Sequence, residues 1–84
     1  PNKYLWFYVQ NIQDRGFANC KNLEKITLCS KRLSVIGDEA FSNCINLRAV
    51  YGTAYIKTVG KRAFENCPNL KRLILSDNVA IQKD

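Results

Sequence analysis

The sequence predicts an α/β repeat fold: a short solenoid with a parallel β-sheet on its concave face and short helical turns on the return segments. Two observations support this prediction. A motif of the form Asn-Cys-x-Asn-Leu occurs three times, beginning at Asn19, Asn43 and Asn66. An aromatic residue stands two positions before each copy, at Phe17, Phe41 and Phe64. Because one such unit cannot bury its own apolar face, neighbouring units must stack.

The repeat unit is 23 or 24 residues long, measured from one copy of the motif to the next. This length fits leucine-rich repeats and is too short for ankyrin, tetratricopeptide or propeller repeats. Whole units are assigned to residues 12–35, 36–58 and 59–81, with a partial unit or N-terminal cap at 1–11 and a truncated next unit at 82–84. Since units are cut at both ends, we expect a piece of a longer array.

The run IGDEAFSNCINLRAV, from Ile36 to Val50, resembles the BspA-like leucine-rich repeat of many bacterial and protist surface proteins. That family pattern has Ile-Gly, then Ala-Phe, then Cys, then Leu-x-x-Ile, and the resemblance covers most of the chain. The family often has a Pro after the strand, where this sequence has Cys29, Gly52 and Ser76. The resemblance implies adhesion to host or matrix proteins, and therefore a cell-surface or secreted location.

Each unit is predicted to form one strand and one return segment. The segments Leu23–Leu28, Leu47–Tyr51 and Leu70–Leu75 contain the β-branched residues and the alternation expected of strands. The return segments around Asp38–Cys44 and Lys61–Cys67 are predicted to form about one helical turn. The columns expected to fill the core are Phe17, Cys20, Leu23, Phe41, Cys44, Leu47, Phe64, Cys67 and Leu70.

The recurring asparagines and cysteines are interpreted as structural. Asn side chains bond readily to the backbone of bends, and stacked units would align them into an amide ladder. Cys20, Cys44 and Cys67 hold one repeat position and are expected to be small core residues, with a disulfide or a metal site as alternatives. Cys29 lies off this column, where it either fills a turn or forms an exposed reactive thiol.

The sequence lacks the residue patterns of the common catalytic sites. It contains no His, which excludes Ser-His and Cys-His nucleophile pairs and zinc sites that need imidazole. Asp38 and Glu39 are adjacent carboxylates, but they suit the start of a short helix better than acid/base catalysis. We therefore expect no enzyme activity, cofactor or small-molecule substrate. The apolar run Leu5–Val9 is far too short to span a bilayer.

A partner is expected to bind the outward side chains of the predicted sheet. These are Lys25, Thr27, Arg48, Tyr51, Lys71, Arg72 and Ile74. Aromatic and Arg residues are favoured anchors at protein interfaces, which favours a protein-binding or adhesion module. The net charge of +6 leaves open a polyanion binder, for heparan-type sugars or nucleic acid. A structural spacer within a longer array is the third alternative.

Overall fold

The strands of the protein form two parallel sheets. The chain is described here by a computed structural model, which covers residues 4–7, 11–28 and 34–82. The first sheet contains, in order, β1 (Tyr4–Phe7), β3 (Lys25–Leu28), β5 (Ala49–Tyr51) and β7 (Arg72–Leu73). The second sheet contains, in order, β2 (Asn11–Ile12), β4 (Val35–Ile36), β6 (Thr58–Val59) and β8 (Ala80–Ile81). Because consecutive strands alternate between the sheets, each coil of the solenoid adds one strand to both.

The first sheet is the one that the repeat pattern predicts, although its strands are shorter. β3 and β5 end where predicted but begin two residues later, and β7 has only two residues. The late start has a local cause. The Leu47 amide donates to the Cys44 carbonyl at 3.0 Å, which is a turn bond, so the leucine precedes the strand. The paired residues Lys25, Ala49 and Arg72 lie one repeat apart, so the register follows the repeat.

The predicted helical turns on the return segments are not confirmed. Residues 38–43 and 61–66 form turns, and the residues that the structure covers contain no helix. The reason lies in the backbone of two residues in each coil. In the middle coil, Glu39 and Asn43 have φ values of 55° and 60°, in the left-handed region. A right-handed helix cannot continue through that conformation.

Hydrogen bonds between coils replace the helical ones. The amides of Glu39, Phe41 and Asn43 donate to carbonyls of the following coil, at 2.8, 2.7 and 2.8 Å. The intervening amides of Ala40 and Ser42 donate within their own coil, three residues back. This alternation satisfies the backbone of the return segment and joins it to its neighbour at the same time.

The predicted asparagine ladder is confirmed. Asn19, Asn43 and Asn66 all have left-handed φ values, between 56° and 64°, which Asn tolerates better than most residues. The Asn43 side-chain amide donates to the Asn19 carbonyl oxygen at 3.0 Å, and that of Asn66 donates to Asn43 at 2.9 Å. The same side chain therefore permits the bend and links it to the next one.

The glycine that follows Ile36 or Val59 in the repeat is needed because an aspartate of the preceding coil lies close to its backbone. The Asp14 carboxylate accepts a hydrogen bond from the Asp38 amide at 2.8 Å, and the Asp38 carboxylate accepts one from the Lys61 amide at 2.9 Å. A Cβ atom on Gly37 would lie 2.5 Å from the Asp14 nitrogen, and one on Gly60 equally close to the Asp38 nitrogen. Glycine is therefore required for the coils to stack at this spacing.

The core lies between the two sheets and the return segments. Leu23, Leu47, Phe41, Cys20 and Cys44 are buried. The remaining predicted core residues are half-buried and pack against this cluster; they are Phe17, Phe64, Cys67 and Leu70. The three phenylalanine rings stack in a column, with centroids 5.3 and 5.2 Å apart and planes within 9° of parallel.

The three cysteines of the repeat are free thiols in the core. The Cys44 thiol donates to the Phe17 carbonyl at 3.1 Å, and the Cys67 thiol donates to the Phe41 carbonyl at 3.0 Å. A hydrogen bond with Cys67, together with burial, raises the pKa of Cys44, and burial raises the pKa of Cys20. These two side chains therefore stay protonated at neutral pH. Cys29 lies outside the described residues.

Replacing Phe41 with Ala should lower the free energy of unfolding by about 3–5 kcal/mol, because the ring is fully buried between two others. Urea denaturation followed by circular dichroism measures the change. Tyr55→Ala removes an aromatic ring that is 57 % exposed and is the matched control. Equal losses for the two variants would contradict the role of the stacked column.

Candidate partner-binding face

The side chains of the first sheet alternate between the core and the surface. Ile26 and Val50 pair across β3 and β5 and are buried, as expected for the inward positions of parallel strands. Their neighbours along each strand lie on the opposite side of the sheet. Lys25, Thr27, Tyr51 and Arg72 belong to this side. Arg48 and Lys71 directly precede β5 and β7, and Ile74 directly follows β7. These seven residues, which were all predicted to contact a partner, are together called the outward face. Their role in binding stays a prediction.

One column of the outward face carries two cations that flank a small residue. Lys25, Ala49 and Arg72 are in register on three neighbouring strands. Lys25 and Arg72 are exposed, whereas Ala49 is only 3 % exposed. Adjacent parallel strands lie about 4.8 Å apart, so the long neighbouring side chains cover the alanine methyl group. The surface at Ala49 is therefore recessed, and the cationic side chains of Lys25 and Arg72 flank it.

The next column supplies the apolar part of the face. Thr27 is half-buried and pairs with Tyr51 in the sheet. Tyr51 is 40 % exposed, and Ile74, which follows β7, is 73 % exposed. Large apolar side chains at such exposure mark a surface that can bury area against a partner.

A third column lies at the start of the strands and is polar. Arg48 and Glu24 form an ion pair at 3.8 Å, and Lys71 continues the column in the next coil. A depression of about 570 Å³ lies here, lined by Glu24, Asn46, Arg48, Asn69 and Lys71. The side-chain amides of Asn46 and Asn69 stabilise the fold, because they donate to backbone carbonyls of the preceding coil at 2.7 and 2.8 Å. The charged residues are the groups that remain for a partner.

A smaller groove of about 250 Å³ lies between β5 and β7. Four of the seven predicted residues line it: Tyr51, Lys71, Arg72 and Ile74. Its floor includes Gly52 and Thr53, which were not predicted as site residues. The signal for them is present in the sequence, since Gly52 replaces the Leu that ends the motif in the other units.

Gly52 determines the shape of this groove. Its φ of 84° is left-handed, and a Cβ atom there would lie 1.8 Å from the Leu28 carbonyl oxygen. The chain therefore bends sharply after β5 and passes close to the preceding coil. Directly after the bend, the buried Thr53 hydroxyl donates to the Ile74 carbonyl, which links the groove floor to the wall formed by the following coil.

The described residues show no grouping of His, Cys, Asp and Glu side chains suited to holding a metal ion. The same residues include no helix that could span a membrane. The seven residues of the outward face include no carboxylate, and the neighbouring Glu24 pairs with Arg48. The chemistry that the face offers is therefore cationic and apolar contact.

Successive coils with parallel strands, inward leucines and an open outward face define a leucine-rich-repeat solenoid. The family model described as BspA type leucine-rich repeat region (6 copies) matches residues 7–84. The chain belongs to the BspA-type leucine-rich repeat family, and the resemblance seen in the sequence is confirmed. Comparison with curated proteins gives no match, and comparison with solved structures gives none either.

Replacing Gly52 with Ala should destabilise the fold by more than about 1 kcal/mol, because the left-handed bend and the Leu28 carbonyl leave no space for a methyl group. Chemical denaturation measures this loss. Gly16→Ala is the control, since its Cβ would have no neighbour closer than 3.1 Å and the other units have Ala at this position. If both variants were equally stable, the bend would not have the geometry described.

Proposed function

We propose that this chain is a non-catalytic protein-binding module that engages its partner through the outward face of the first sheet. The observation that supports this proposal most directly is the grouping of exposed Tyr51 and Ile74 with Lys71 and Arg72 around one groove. Interfaces combine apolar or aromatic anchors with Arg at their centre, and polar groups at their rim. The outward face has this arrangement.

The register of the sheet supports a preformed binding surface. Lys25 and Thr27 lie on β3 and pair with both neighbouring strands, whereas Tyr51 and Arg72 each pair with a residue of the preceding coil. The inward residues Ile26 and Val50 of the same sheet are buried. A surface on a rigid sheet loses little conformational freedom when a partner binds, so more of the contact energy contributes to affinity.

The wider role that we propose is adhesion at the cell surface or in a secreted protein. It rests on membership of the BspA-type family together with the features of the outward face. Matrix proteins are therefore the first partners to test. The absence of His from the sequence accords with a role without catalysis.

A polyanion is the second candidate partner, because the chain carries a net charge of +6 and the outward face holds four of its cations. Binding that depends on phosphate or sulfate contacts weakens steeply as salt concentration rises. Protein binding anchored by Tyr51 and Ile74 should instead retain most of its affinity at physiological salt, since burial of apolar groups is not screened.

The double substitution Tyr51→Ala and Arg72→Ala should weaken binding to a matrix protein by at least about tenfold, because it removes an aromatic anchor and a cation from one interface. Surface plasmon resonance over a panel of purified matrix proteins measures the affinities. Tyr55→Ala with Lys57→Ala is the matched control, since it removes an exposed aromatic residue and a cation outside the first sheet.

Two results would contradict the proposal. The first is an unchanged affinity of the face variant for every matrix protein that binds the parent chain. The second is an equal loss in the control variant, which would place the interface away from the first sheet. A response confined to heparin and lost with added salt would favour the polyanion instead.

A further inference from the structure

The groove between β5 and β7 has the size of a subsite for one side chain. Pockets for drug-sized ligands have volumes of roughly 300–1,000 Å³. The groove measures about 250 Å³ and is open to solvent along the sheet, which suits a single large apolar side chain of a bound segment.

The floor and walls of the groove favour an apolar occupant. The one hydroxyl at the floor, that of Thr53, is buried and donates its hydrogen bond to the Ile74 carbonyl. The walls are the Tyr51 ring and the Ile74 side chain, which are both partly exposed. Filling the groove with an apolar group removes this surface from water and leaves no buried polar group unpaired.

The rim of the groove is cationic. Lys71 and Arg72 line it and are exposed, and neither forms an ion pair with any residue in the described part of the chain. Lys25 lies in the same column as Arg72, and Arg48 in the same column as Lys71. The carboxylate of Glu24, which lies beside the outward face, pairs with Arg48 at 3.8 Å. The rim therefore attracts carboxylates and repels other cations.

We propose that the groove binds a single large apolar side chain of an acidic protein segment, with the flanking carboxylates of that segment paired to Lys71 and Arg72. This inference rests on the proposed function and specifies the chemical class of the partner, which is an acidic protein segment. Sulfated sugars and the nucleic-acid backbone satisfy the cationic rim but have no aliphatic or aromatic side chain for the groove. An acidic peptide with one apolar anchor satisfies both parts.

Fluorescence anisotropy with three labelled peptides tests the proposal on the full chain. The probe is a peptide of Glu and Ser around one central Phe; in the second peptide Ser replaces the Phe, and in the third Lys replaces every Glu. The acidic Phe peptide should bind at least about tenfold more tightly than either other peptide, since burial of the ring and pairing at the rim both contribute.

Two variants, each with a control, test whether the peptide binds at the groove. Ile74→Ser should weaken binding of the acidic Phe peptide by about tenfold and leave the fold intact, because Ile74 is exposed. Ile81→Ser is the matched control, since it removes an exposed isoleucine from the second sheet. The pair Lys71→Glu and Arg72→Glu should reverse the preference, so that the Lys peptide binds better than the Glu peptide. Lys57→Glu, on a coil position outside the face, should change nothing.

The outcomes separate this inference from the proposed function. Binding that requires Glu but not Phe would show charge recognition alone and overturn the inference, as would binding that requires Phe but not Glu. Equal losses for Ile74→Ser and Ile81→Ser would place the peptide elsewhere. If no peptide binds while Tyr51→Ala with Arg72→Ala still abolishes capture of a matrix protein, the inference fails and the proposed function stands.

Discussion

Hydrogen bonding between adjacent coils is the constraint on which the rest of this structure depends. At or just before the starts of several strands, amides donate to the preceding coil, as the Lys71 amide does to the Arg48 carbonyl at 3.0 Å. In the return segments, every second amide donates to the following coil, as the Phe41 amide does to the Ala63 carbonyl at 2.7 Å. A coil therefore satisfies its backbone only when both neighbours are stacked in register. The phenylalanine column, the thiol column and the asparagine ladder all repeat because that register repeats.

The outward face is a consequence of the same register. Its cations and apolar residues come from positions that recur in every coil, so one sheet brings together side chains about a repeat apart in sequence. The groove, by contrast, is a departure from the repeat. It arises where Gly52 replaces a leucine and the chain bends against Leu28. Regular positions thus build the scaffold, and an irregular one creates the groove on it.

Much of this arrangement could be predicted from the sequence, since a column of identical residues in a repeat has to face one environment. The inward Leu, Phe and Cys columns, the first sheet and the amide ladder follow from that argument. The second sheet was missed because strands of two residues carry no detectable alternation. Helical turns were predicted for the return segments, with Asp38 and Glu39 placed at the start of a short helix. The Phe41 amide donates to the Ala63 carbonyl of the next coil instead, and local propensity contains no information on that partner. The groove was missed because its floor is formed by backbone at Gly52.

The central claim is that inter-coil hydrogen bonds replace helical ones in the return segments. Scalar couplings across hydrogen bonds, measured by NMR on the isotopically labelled chain, test it directly. The account predicts that the Phe41 amide nitrogen couples to the Ala63 carbonyl carbon, and the Asn43 amide to the Glu65 carbonyl. A coupling from the Phe41 amide to the Gly37 carbonyl, four residues back as in an α-helix, would contradict it.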